Sequence, residues 1–327
     1  MVDFVKSDLV AVGVDIGGTK VAVGVVDARG RVLTKIAAPL QASAEDPEIT
    51  VTQVARLVQE ITDGRISGGN LAVGVGVPAV VDRGRGVVVW APNISGWRDL
   101  PVREKLSKRL GTRLVTLDFD GNTAVLAEGW VGAGRGKQNV VFLIIGTGIG
   151  AGMILDGRVY RGSTGIPGGV GWYALDPALI GDAARNRTPS FEELCAGPGL
   201  LRSANAGVQG TGPDPPGNFP DTRALFAAYD QGDQRAALAL ERAVTYVGMG
   251  AANIISTLNP EVLVIGGGIG IQYCRRPDLF NRIRRLVDDL AQPAAARAVE
   301  IRPALLGADA GVVGAARLAL DEFIAED

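Results

Sequence analysis

The sequence has 327 residues, of which 47% are apolar and 21% are charged, and its formal net charge is −2. This length predicts two domains of ordinary size, and the composition is typical of a folded globular enzyme rather than of a nucleic-acid-binding chain. The chain has no histidine and only two cysteines, Cys195 and Cys274. It therefore excludes a Ser-His or Cys-His catalytic pair and offers no ligand set for zinc, so acid–base chemistry is left to carboxylates.

The start of the chain, MVDFVKSD, lacks a charged segment followed by an apolar one. We therefore expect no secretory signal and a cytoplasmic location. The longest apolar run, Val140 to Leu155, is shorter than the about 20 residues of a membrane helix and is interrupted by glycines. It predicts a pair of buried strands, with neither a membrane nor a nucleic acid as partner.

Three short runs rich in β-branched residues and separated by glycine turns predict sequential strands at Leu9 to Val14, Val21 to Val26 and Val32 to Ala37. Pro47 to Asp63 has the apolar spacing of an amphipathic helix. Leu71 to Val77 ends at a proline and indicates another buried strand. This order of strands, helix and strand predicts an α/β fold.

The opening pattern recurs later in the chain. Aligning VGVDIGGTKVAVGVVDARGRV with FLIIGTGIGAGMILDGRV pairs Gly17 with Gly146 and Asp27 with Asp156, at the same separation in both cases. One such match can arise by chance between segments rich in glycine and valine, but the shared turn chemistry favours a duplication. We therefore predict two lobes with a central cleft between them, where small ligands commonly bind.

The boundary between the lobes is predicted near Val115 to Asp118. The N-terminal lobe then covers 1–117 together with a closing helix within 308–327, at Ala308 to Ala325, and the C-terminal lobe covers 118–307. Gly207 to Pro220 is rich in proline and glycine and predicts a mobile loop. The remaining predicted elements are helices at Thr222 to Tyr229 and Gln234 to Thr257 and a strand at Glu261 to Ile265.

The first glycine turn is a candidate phosphate-binding hairpin, Asp15-Ile16-Gly17-Gly18-Thr19-Lys20. Glycine has no Cβ, so backbone N–H groups can approach a phosphate there, with a hydroxyl from Thr19 and a charge from Lys20. A phosphate repels the carboxylate of Asp15, which is instead predicted to hold Mg²⁺ through water. The alternative is a tight turn without a ligand.

A second hairpin, Gly146-Thr147-Gly148-Ile149-Gly150, is expected to face the first across the cleft. Neither hairpin fits the dinucleotide-binding fingerprint or the P-loop motif. Gly266-Gly267-Gly268 follows a predicted strand and is expected to open a helix or turn whose N–H groups meet the nucleotide. The alternative for this last segment is a turn that merely ends a strand.

The order of motifs resembles the ROK family (repressors, open reading frames and sugar kinases) over nearly the whole chain. The matching segments are DIGGTK at 15–20, GVGVP at 74–78, APNISGW at 91–97, DGNTAVLAE at 120–128, GTGIG at 146–150, NPEVLVIGGG at 259–268 and GVVGAA at 311–316. The resemblance implies a two-lobed actin-like ATPase fold, a carbohydrate kinase that uses ATP and Mg²⁺, and a homo-oligomer, expected to be a dimer. The family's N-terminal DNA-binding segment and its histidine–cysteine zinc site are not expected here.

Asp120 matches the general base of the family's N-D-x-N motif. The chemistry requires such a group, because a sugar hydroxyl is a weak nucleophile until a carboxylate accepts its proton. The alternative role for Asp120 is to cap a helix. Asp118 shares a face with Asp120 only if the segment is an extended strand.

The sequence departs from the family where sugar contacts are expected. Phe119 replaces the asparagine before the base, Gly169 and Trp172 replace the glutamate and histidine of the GEIGH-like motif, and Glu192 matches the remaining sugar-binding glutamate. Phe119 and Trp172 are expected to stack on a sugar-like ring, or alternatively to fill core space as ordinary aromatics.

The sequence therefore predicts an ATP-dependent kinase that acts on a hydroxyl of a sugar or sugar-like substrate, a phosphotransferase with an alcohol acceptor. One alternative is a catalytically silent protein that binds nucleotide and has a regulatory role. Another is an ordinary glucokinase with a rearranged pocket, in which Asn93 or Asn122 supplies the missing contacts.

Overall fold

The computed structural model describes residues 9–62, 71–165, 167–179, 190–206 and 218–326. The strands are β1 Val10–Ile16, β2 Lys20–Asp27, β3 Val32–Pro39, β4 Val73–Val77, β5 Val80–Asp82, β6 Val87–Trp90, β7 Arg98–Leu100, β8 Val115–Phe119, β9 Val140–Ile145, β10 Ile149–Leu155, β11 Arg158–Val159, β12 Val262–Gly266 and β13 Glu300–Pro303. The helices are α1 Ile49–Thr62, α2 Val102–Leu110, α3 Asp120–Val131, α4 Phe191–Cys195, α5 Gly197–Ala206, α6 Thr222–Asp230, α7 Gln234–Leu258, α8 Gly267–Cys274, α9 Pro277–Leu290, α10 Pro293–Ala298 and α11 Ala310–Glu326. The mobile loop predicted at Gly207 to Pro220 falls mostly on residues 207–217, which lie outside the described residues.

The first sheet has the strand order β3-β2-β1-β4-β8. The three opening strands pair antiparallel, and β4 and β8 continue the sheet parallel to β1. The turn between β2 and β3 is closed by Asp27, whose Oδ1 accepts hydrogen bonds from the backbone N–H groups of Arg29 and Arg31 at 3.0 and 2.9 Å. The predicted α/β class is confirmed, and each of the predicted opening strands is present.

The second sheet has the order β11-β10-β9-β12-β13. Strand β12 is parallel to both β9 and β13, and β11 is antiparallel to β10. This is the order of the first sheet again, with three successive strands followed by two that return parallel to the first strand of the set. The predicted repeat is therefore confirmed at the level of topology, although β11 is much shorter than β3.

Helix α11, which covers most of the predicted closing helix, packs against β1, β4 and α3. Glycines allow this close approach. A Cβ on Gly13 would lie 1.9 Å from the carbonyl oxygen of Val312, and one on Gly74 would lie 1.7 Å from that of Ala315. Since such distances are impossible for real atoms, the helix reaches the sheet only where side chains are missing.

By packing, the chain divides into two units. The first contains Met1–Gln138, Gly152–Pro167 and Leu305–Asp327, and the second contains Asn139–Ala151 and Gly168–Ala304. Helix α3, which follows the boundary predicted near Val115 to Asp118, groups with the first unit because it packs against α11 and β4. The lobe boundaries stay a prediction.

The first unit has its main core between the sheet and helices α1 and α2. Val14, Val75 and Leu117 from the sheet and Leu57 and Leu106 from the two helices are all buried in it. Burial of each such side chain contributes about 1.5–3 kcal/mol. Within the described part of the chain, no helix has both the length and the apolar character needed to cross a membrane.

Candidate functional site

The first predicted phosphate hairpin is the turn between β1 and β2. The N–H of Gly17 donates to the carbonyl of Lys20 at 2.9 Å and closes the turn. Gly18, Thr19 and Lys20 are exposed at its tip, and a Cβ on Gly18 would meet only the Cβ of Asn93, at 3.9 Å. The turn therefore leaves its backbone open to a ligand, with Asn93 beside it.

Asp15 occupies the carboxyl end of β1, immediately before this turn. Its carboxyl group lies against the start of α11, since a Cβ on Gly311 would be only 2.4 Å from Asp15 Cγ. Burial raises the pKa of Asp15, while the charges of Lys20 and Lys35 lower it. A carboxylate held in this way suits a cation, whose charge would offset the cost of burial.

Asp120 is the first residue of α3 and directly follows β8. Its Oδ1 accepts a hydrogen bond from the N–H of Gly121 at 2.8 Å. Burial, and next the negative charge of Asp15, raise the pKa of Asp120 to about 7. A carboxylate with such a pKa can accept a proton near neutral pH, which is the requirement for a general base.

Asp118, two residues earlier, has a different environment. It is buried at the end of β8 and accepts hydrogen bonds from the N–H of Phe119 at 2.9 Å and from Nδ2 of Asn122 at 2.8 Å. Arg161 donates to its Oδ2 at 2.8 Å. Because these donors already occupy the carboxylate, Asp118 holds its neighbours in place, whereas Asp120 is left as the candidate base.

Phe119 and Asn122 flank the candidate base. The ring of Phe119 covers Gly121, where a Cβ would lie 2.5 Å from Phe119 Cε1. Asn122 is fully buried; its Nδ2 is bonded to Asp118, and its Oδ1 has no partner. Phe119 thus places an apolar ring next to Asp120, and a direct contact of Asn122 with substrate stays a prediction.

In the second unit, the predicted hairpin is the turn between β9 and β10. The N–H of Gly146 donates to the carbonyl of Gly148 at 2.9 Å. Glu192 in α4 holds the far side of the turn, because its Oε2 accepts from the N–H of Ile149 at 2.8 Å. A Cβ on Gly148 would lie 2.6 Å from that same oxygen, so a side chain there would displace the carboxylate of Glu192. Thr147 is exposed at the tip.

The glycine triplet ends β12 and begins α8, so the prediction that it opens a helix is confirmed. Gly267 has φ +80°, a conformation that favours glycine, and a Cβ there would lie 2.4 Å from the carbonyl oxygen of Ile145. Gly268 is exposed, and its N atom lies 4.0 Å from the position of a Cβ on Gly146. The triplet, from Gly266 to Gly268, and the second hairpin therefore lie side by side in this unit, with exposed N–H groups at a helix start.

The segment with the altered sugar motif runs beside β10. The N–H of Ala151 donates to the carbonyl of Gly168 at 2.9 Å, and a Cβ on Gly150 would be 4.0 Å from that oxygen. Gly169 is exposed, and Trp172 is 74% exposed at the end of a short 3₁₀ turn, Val170–Trp172. Trp172 is therefore not a core aromatic, and that alternative from the sequence is wrong for this residue.

Each unit thus brings one group of predicted site residues together. In the first unit these are Asp15, the first hairpin, Asn93 and the segment from Phe119 to Asn122. In the second unit they are the other hairpin, the glycine triplet, the altered sugar motif and Glu192. The structure shows in the described residues no group of three or more His, Cys, Asp or Glu side chains that could hold a metal ion. Asp15 and Asp120 form a pair of carboxylates in the first unit.

Sequence reasoning missed residues that shape the site. Gly311 was part of a recognised motif, GVVGAA, but had no role until its contact with Asp15 was visible. No sequence pattern pointed to Arg161, because its partner Asp118 lies 43 residues earlier in the chain. Lys35, which bonds Asp309 at 2.6 Å and affects the pKa of Asp15, was hidden in a predicted strand.

Comparison with known proteins places the chain in a family. A model of the ROK family matches residues 11–322. A glucokinase of Thermotoga maritima is 32% identical over 313 residues, which are 94% of this chain and 96% of that protein.

Two crystal structures are similar over nearly their whole length. A ROK hexokinase from Thermus thermophilus has 34% identity and a TM-score of 0.79, covering 97% of this chain and 100% of that one. A ROK family glucokinase from Streptomyces griseus, in complex with glucose and AMPPNP, has 30% identity and a TM-score of 0.76, covering 96% and 100%. The predicted actin-like ATPase fold and the resemblance stated from the motifs are confirmed, and the chain belongs to the ROK family.

Proposed function

We propose that this chain is an ATP-dependent kinase that transfers the γ-phosphoryl group to a hydroxyl of a sugar or sugar-like substrate, with Asp120 as the general base. The observation that carries the proposal is the position of Asp120. It is a half-buried carboxylate at the start of α3, beside Asp15, and its pKa is raised to about 7. The related glucokinases and hexokinase support the same reaction class.

The role of Asp120 follows from its chemistry. As the bond from the acceptor oxygen to phosphorus forms, the hydroxyl proton must leave, and the carboxylate of Asp120 accepts it. Such a base contributes about 10²–10⁴ in rate. The alternative role of a helix cap has little support, because Oδ1 of Asp120 bonds only the adjacent N–H of Gly121.

The nucleotide phosphates are proposed to bind the glycine-rich segments of both units. Gly17, Gly18, Thr19 and Lys20 offer an open turn in the first unit, and Gly146 to Gly150 with Gly266 to Gly268 offer exposed N–H groups in the second. These groups are oriented by the fold before a ligand arrives, so little ordering is needed on binding. The AMPPNP complex of the Streptomyces griseus glucokinase supports ATP as the donor.

We also propose that Asp15 holds Mg²⁺ through water. Asp15 and Asp120 are close enough for the charge of one to raise the pKa of the other, and a divalent cation would relieve this repulsion. The metal would supply positive charge for the phosphate oxygens. Lys20 and Lys35 provide part of that positive charge from the protein itself.

The residues proposed to contact the acceptor are Phe119, Asn93 and Asn122 in the first unit and Gly169, Trp172 and Glu192 in the second. Phe119 and Gly169 cannot supply the hydrogen bonds of the polar residues they replace, and each lost bond to a charged group weakens binding by about 1.5–3 kcal/mol. A sugar with an apolar face or a substituent that stacks on an aromatic ring suits these residues better than plain glucose.

The test is a panel of sugars, amino sugars, cyclitols and glycosides, with ATP consumption as the readout. Asp120→Asn is expected to lower turnover about 10²–10⁴-fold on every active substrate and to leave nucleotide affinity within a few-fold. Asp289→Asn, an exposed carboxylate on α9, is the matched control and should keep full turnover. Unchanged turnover in Asp120→Asn would refute the assignment of the base.

The same panel separates the remaining alternatives. Nucleotide binding without turnover on any compound would favour a silent binding protein. Efficient turnover of glucose at millimolar concentration would favour a glucokinase with a rearranged pocket. The cytoplasmic location and the dimer stay predictions, and size measurement in solution tests the latter.

A further inference from the structure

A polar cavity lies in the first unit, beside β8, which is the edge strand of its sheet. It has a volume of about 110 Å³. Its walls come from α2, the start of β8 with the residues just before it, and the last turns of α11. The lining residues are Arg103, Arg113, Leu114, Val115, Thr116, Ala319, Glu322 and Phe323. None of them belongs to the proposed catalytic or nucleotide-binding residues.

Two of the lining side chains have a buried polar atom without a protein partner. The hydroxyl oxygen of Thr116 is one, in a residue that is only 2% exposed. The Nε of Arg103 is the other. Buried polar groups are nearly always hydrogen-bonded, because an unsatisfied one costs about 1–3 kcal/mol. Both residues line this cavity, so a ligand or ordered water in it is the partner we infer for these atoms.

The rest of the Arg103 guanidinium is already fixed. Its Nη1 and Nη2 donate to the carbonyls of Gly84 and Arg83 at 3.2 and 2.6 Å. These bonds hold the side chain across the turn between β5 and β6, so its position does not depend on the missing partner. Arg113 is exposed and forms no ion pair with any residue in the described part of the chain.

The charge around the cavity is predominantly positive. Glu322 is the one carboxylate in the lining, and it is bonded to Arg83. The Nε of Arg83 lies 3.6 Å from Asp118 Oδ2, an oxygen that Arg161 already contacts. Burial and then repulsion from Arg161 lower the pKa of Arg83, Asp118 and Glu322 partly offset this, and Arg103 lowers it further. More guanidinium groups than carboxylates meet here, so an added anion would be stabilised.

We propose that this cavity binds a small oxyanion, either free phosphate or the phosphoryl group of a small ester, through Arg103, Arg113 and the hydroxyl of Thr116. Guanidinium groups bind phosphate oxygens through charge-assisted hydrogen bonds, and a threonine hydroxyl adds a neutral donor. The volume exceeds the roughly 30 Å³ share of one water molecule, so the space suits a group of several heavy atoms.

The proposal is tested by calorimetric titration of inorganic phosphate and, separately, methyl phosphate into the full chain saturated with AMPPNP. The nucleotide analogue keeps the glycine-rich phosphate loops occupied, so their binding does not contribute. Each of Thr116→Val and Arg113→Gln is expected to weaken binding tenfold or more, the loss expected for a hydrogen bond to a charged group. Arg29→Gln removes an equal exposed charge elsewhere in the unit and is expected to leave binding unchanged.

Tighter binding of inorganic phosphate identifies the free ion as the ligand, and tighter binding of methyl phosphate identifies an ester; either supports the site. The proposal is overturned if the chain binds neither inorganic phosphate nor methyl phosphate. It is also overturned if both cavity variants bind them as tightly as the parent chain; in either case the cavity holds only water. Because the readout is binding rather than turnover, a failure here leaves the kinase assignment untouched. Circular dichroism of each variant verifies that it is folded.

Discussion

Arg161 donates from both Nε and Nη2 to the same carboxylate oxygen of Asp118, at 2.8 Å in each case. The two side chains join the segment that follows β11 to the end of β8, the strand that leads directly to Asp120. The side chain of Asp118 is 2% exposed and that of Arg161 is 30% exposed, so water screens the pair only weakly. This pair therefore fixes the backbone that presents the proposed base.

We expect Asp118→Asn to lower the free energy of unfolding of the first unit by about 1.5–3 kcal/mol, because it weakens charged hydrogen bonds from the partly buried guanidinium of Arg161. Denaturant unfolding followed by circular dichroism measures the loss. Glu60→Gln breaks the exposed pair between Glu60 and Arg56 and should cost about 1 kcal/mol or less. Equal losses in the two variants would show that the Asp118 pair contributes no more than a surface pair.

Glu128 is a second buried carboxylate, and it secures the entry to α11. It accepts from the backbone N–H groups of Ala133, Leu305 and Leu306 at 2.7, 3.1 and 3.0 Å. In Glu128→Gln one acceptor oxygen becomes an NH₂ donor that faces these N–H groups, so we expect a loss of about 1–3 kcal/mol. Hydrogen exchange should become faster at Leu305 and Leu306, and unchanged protection there would contradict this role.

The raised pKa of Asp120 predicts the pH dependence of turnover. Since the base must be ionised, kcat/KM should rise with pH to a plateau, with a midpoint near pH 7. Carboxylate NMR of the nucleotide-free chain should find the same midpoint. In Asp15→Asn the midpoint should fall, because the neighbouring negative charge that helps raise the pKa is gone. A midpoint near the ordinary value of 3.8 in the parent chain would contradict this burial.

The contribution of Asp120 to the free energy of unfolding should fall as pH rises, whereas kcat/KM should rise. Between about pH 4 and pH 7 the folded chain holds a proton on Asp120 that the unfolded chain has released. The contribution of this carboxyl group to stability therefore falls as pH rises through this range. Asp120→Asn removes the contribution, so the variant should gain stability relative to the parent chain as pH rises toward 8. Thermal unfolding across that range measures the difference.

Glu192 is expected to affect both substrates. Its Oε2 bonds the N–H of Ile149 in the second hairpin, and the residue is also exposed where a sugar contact is predicted. We expect Glu192→Gln to raise KM for ATP as well as for the sugar, each roughly tenfold, since one charged hydrogen bond is weakened. A change confined to the sugar KM would show that the bond to Ile149 does not position the hairpin.

The sequence predicted most of the fold because its signals are local. Glycine turns between β-branched runs marked β1 to β3, and the repeated pattern marked β9 and β10. Apolar spacing predicted α1 within two residues at each end. The glycines of β1 and β4 let α11 lie close against the sheet.

Local sequence patterns could not predict the environment of each site residue. Asp118 and Asp120 look alike in the sequence. In the structure, arginines from the turn between β5 and β6 and from the segment after β11 contact Asp118, whereas burial and the charge of Asp15 raise the pKa of Asp120. Phe119 and Trp172 were equivalent candidates, and only the structure separates a ring packed on Gly121 from one that is 74% exposed.

The sequence by itself thus determined the family, the repeated α/β architecture and the identity of the candidate base, because these depend on residue types in order along the chain. The tertiary structure decided which carboxylate of DFD is bonded to arginine and which is left to accept a proton. It also decided that Gly311 lies against Asp15, nearly three hundred residues earlier in the chain. Charge and burial act through space, so they emerge only when distant segments pack together.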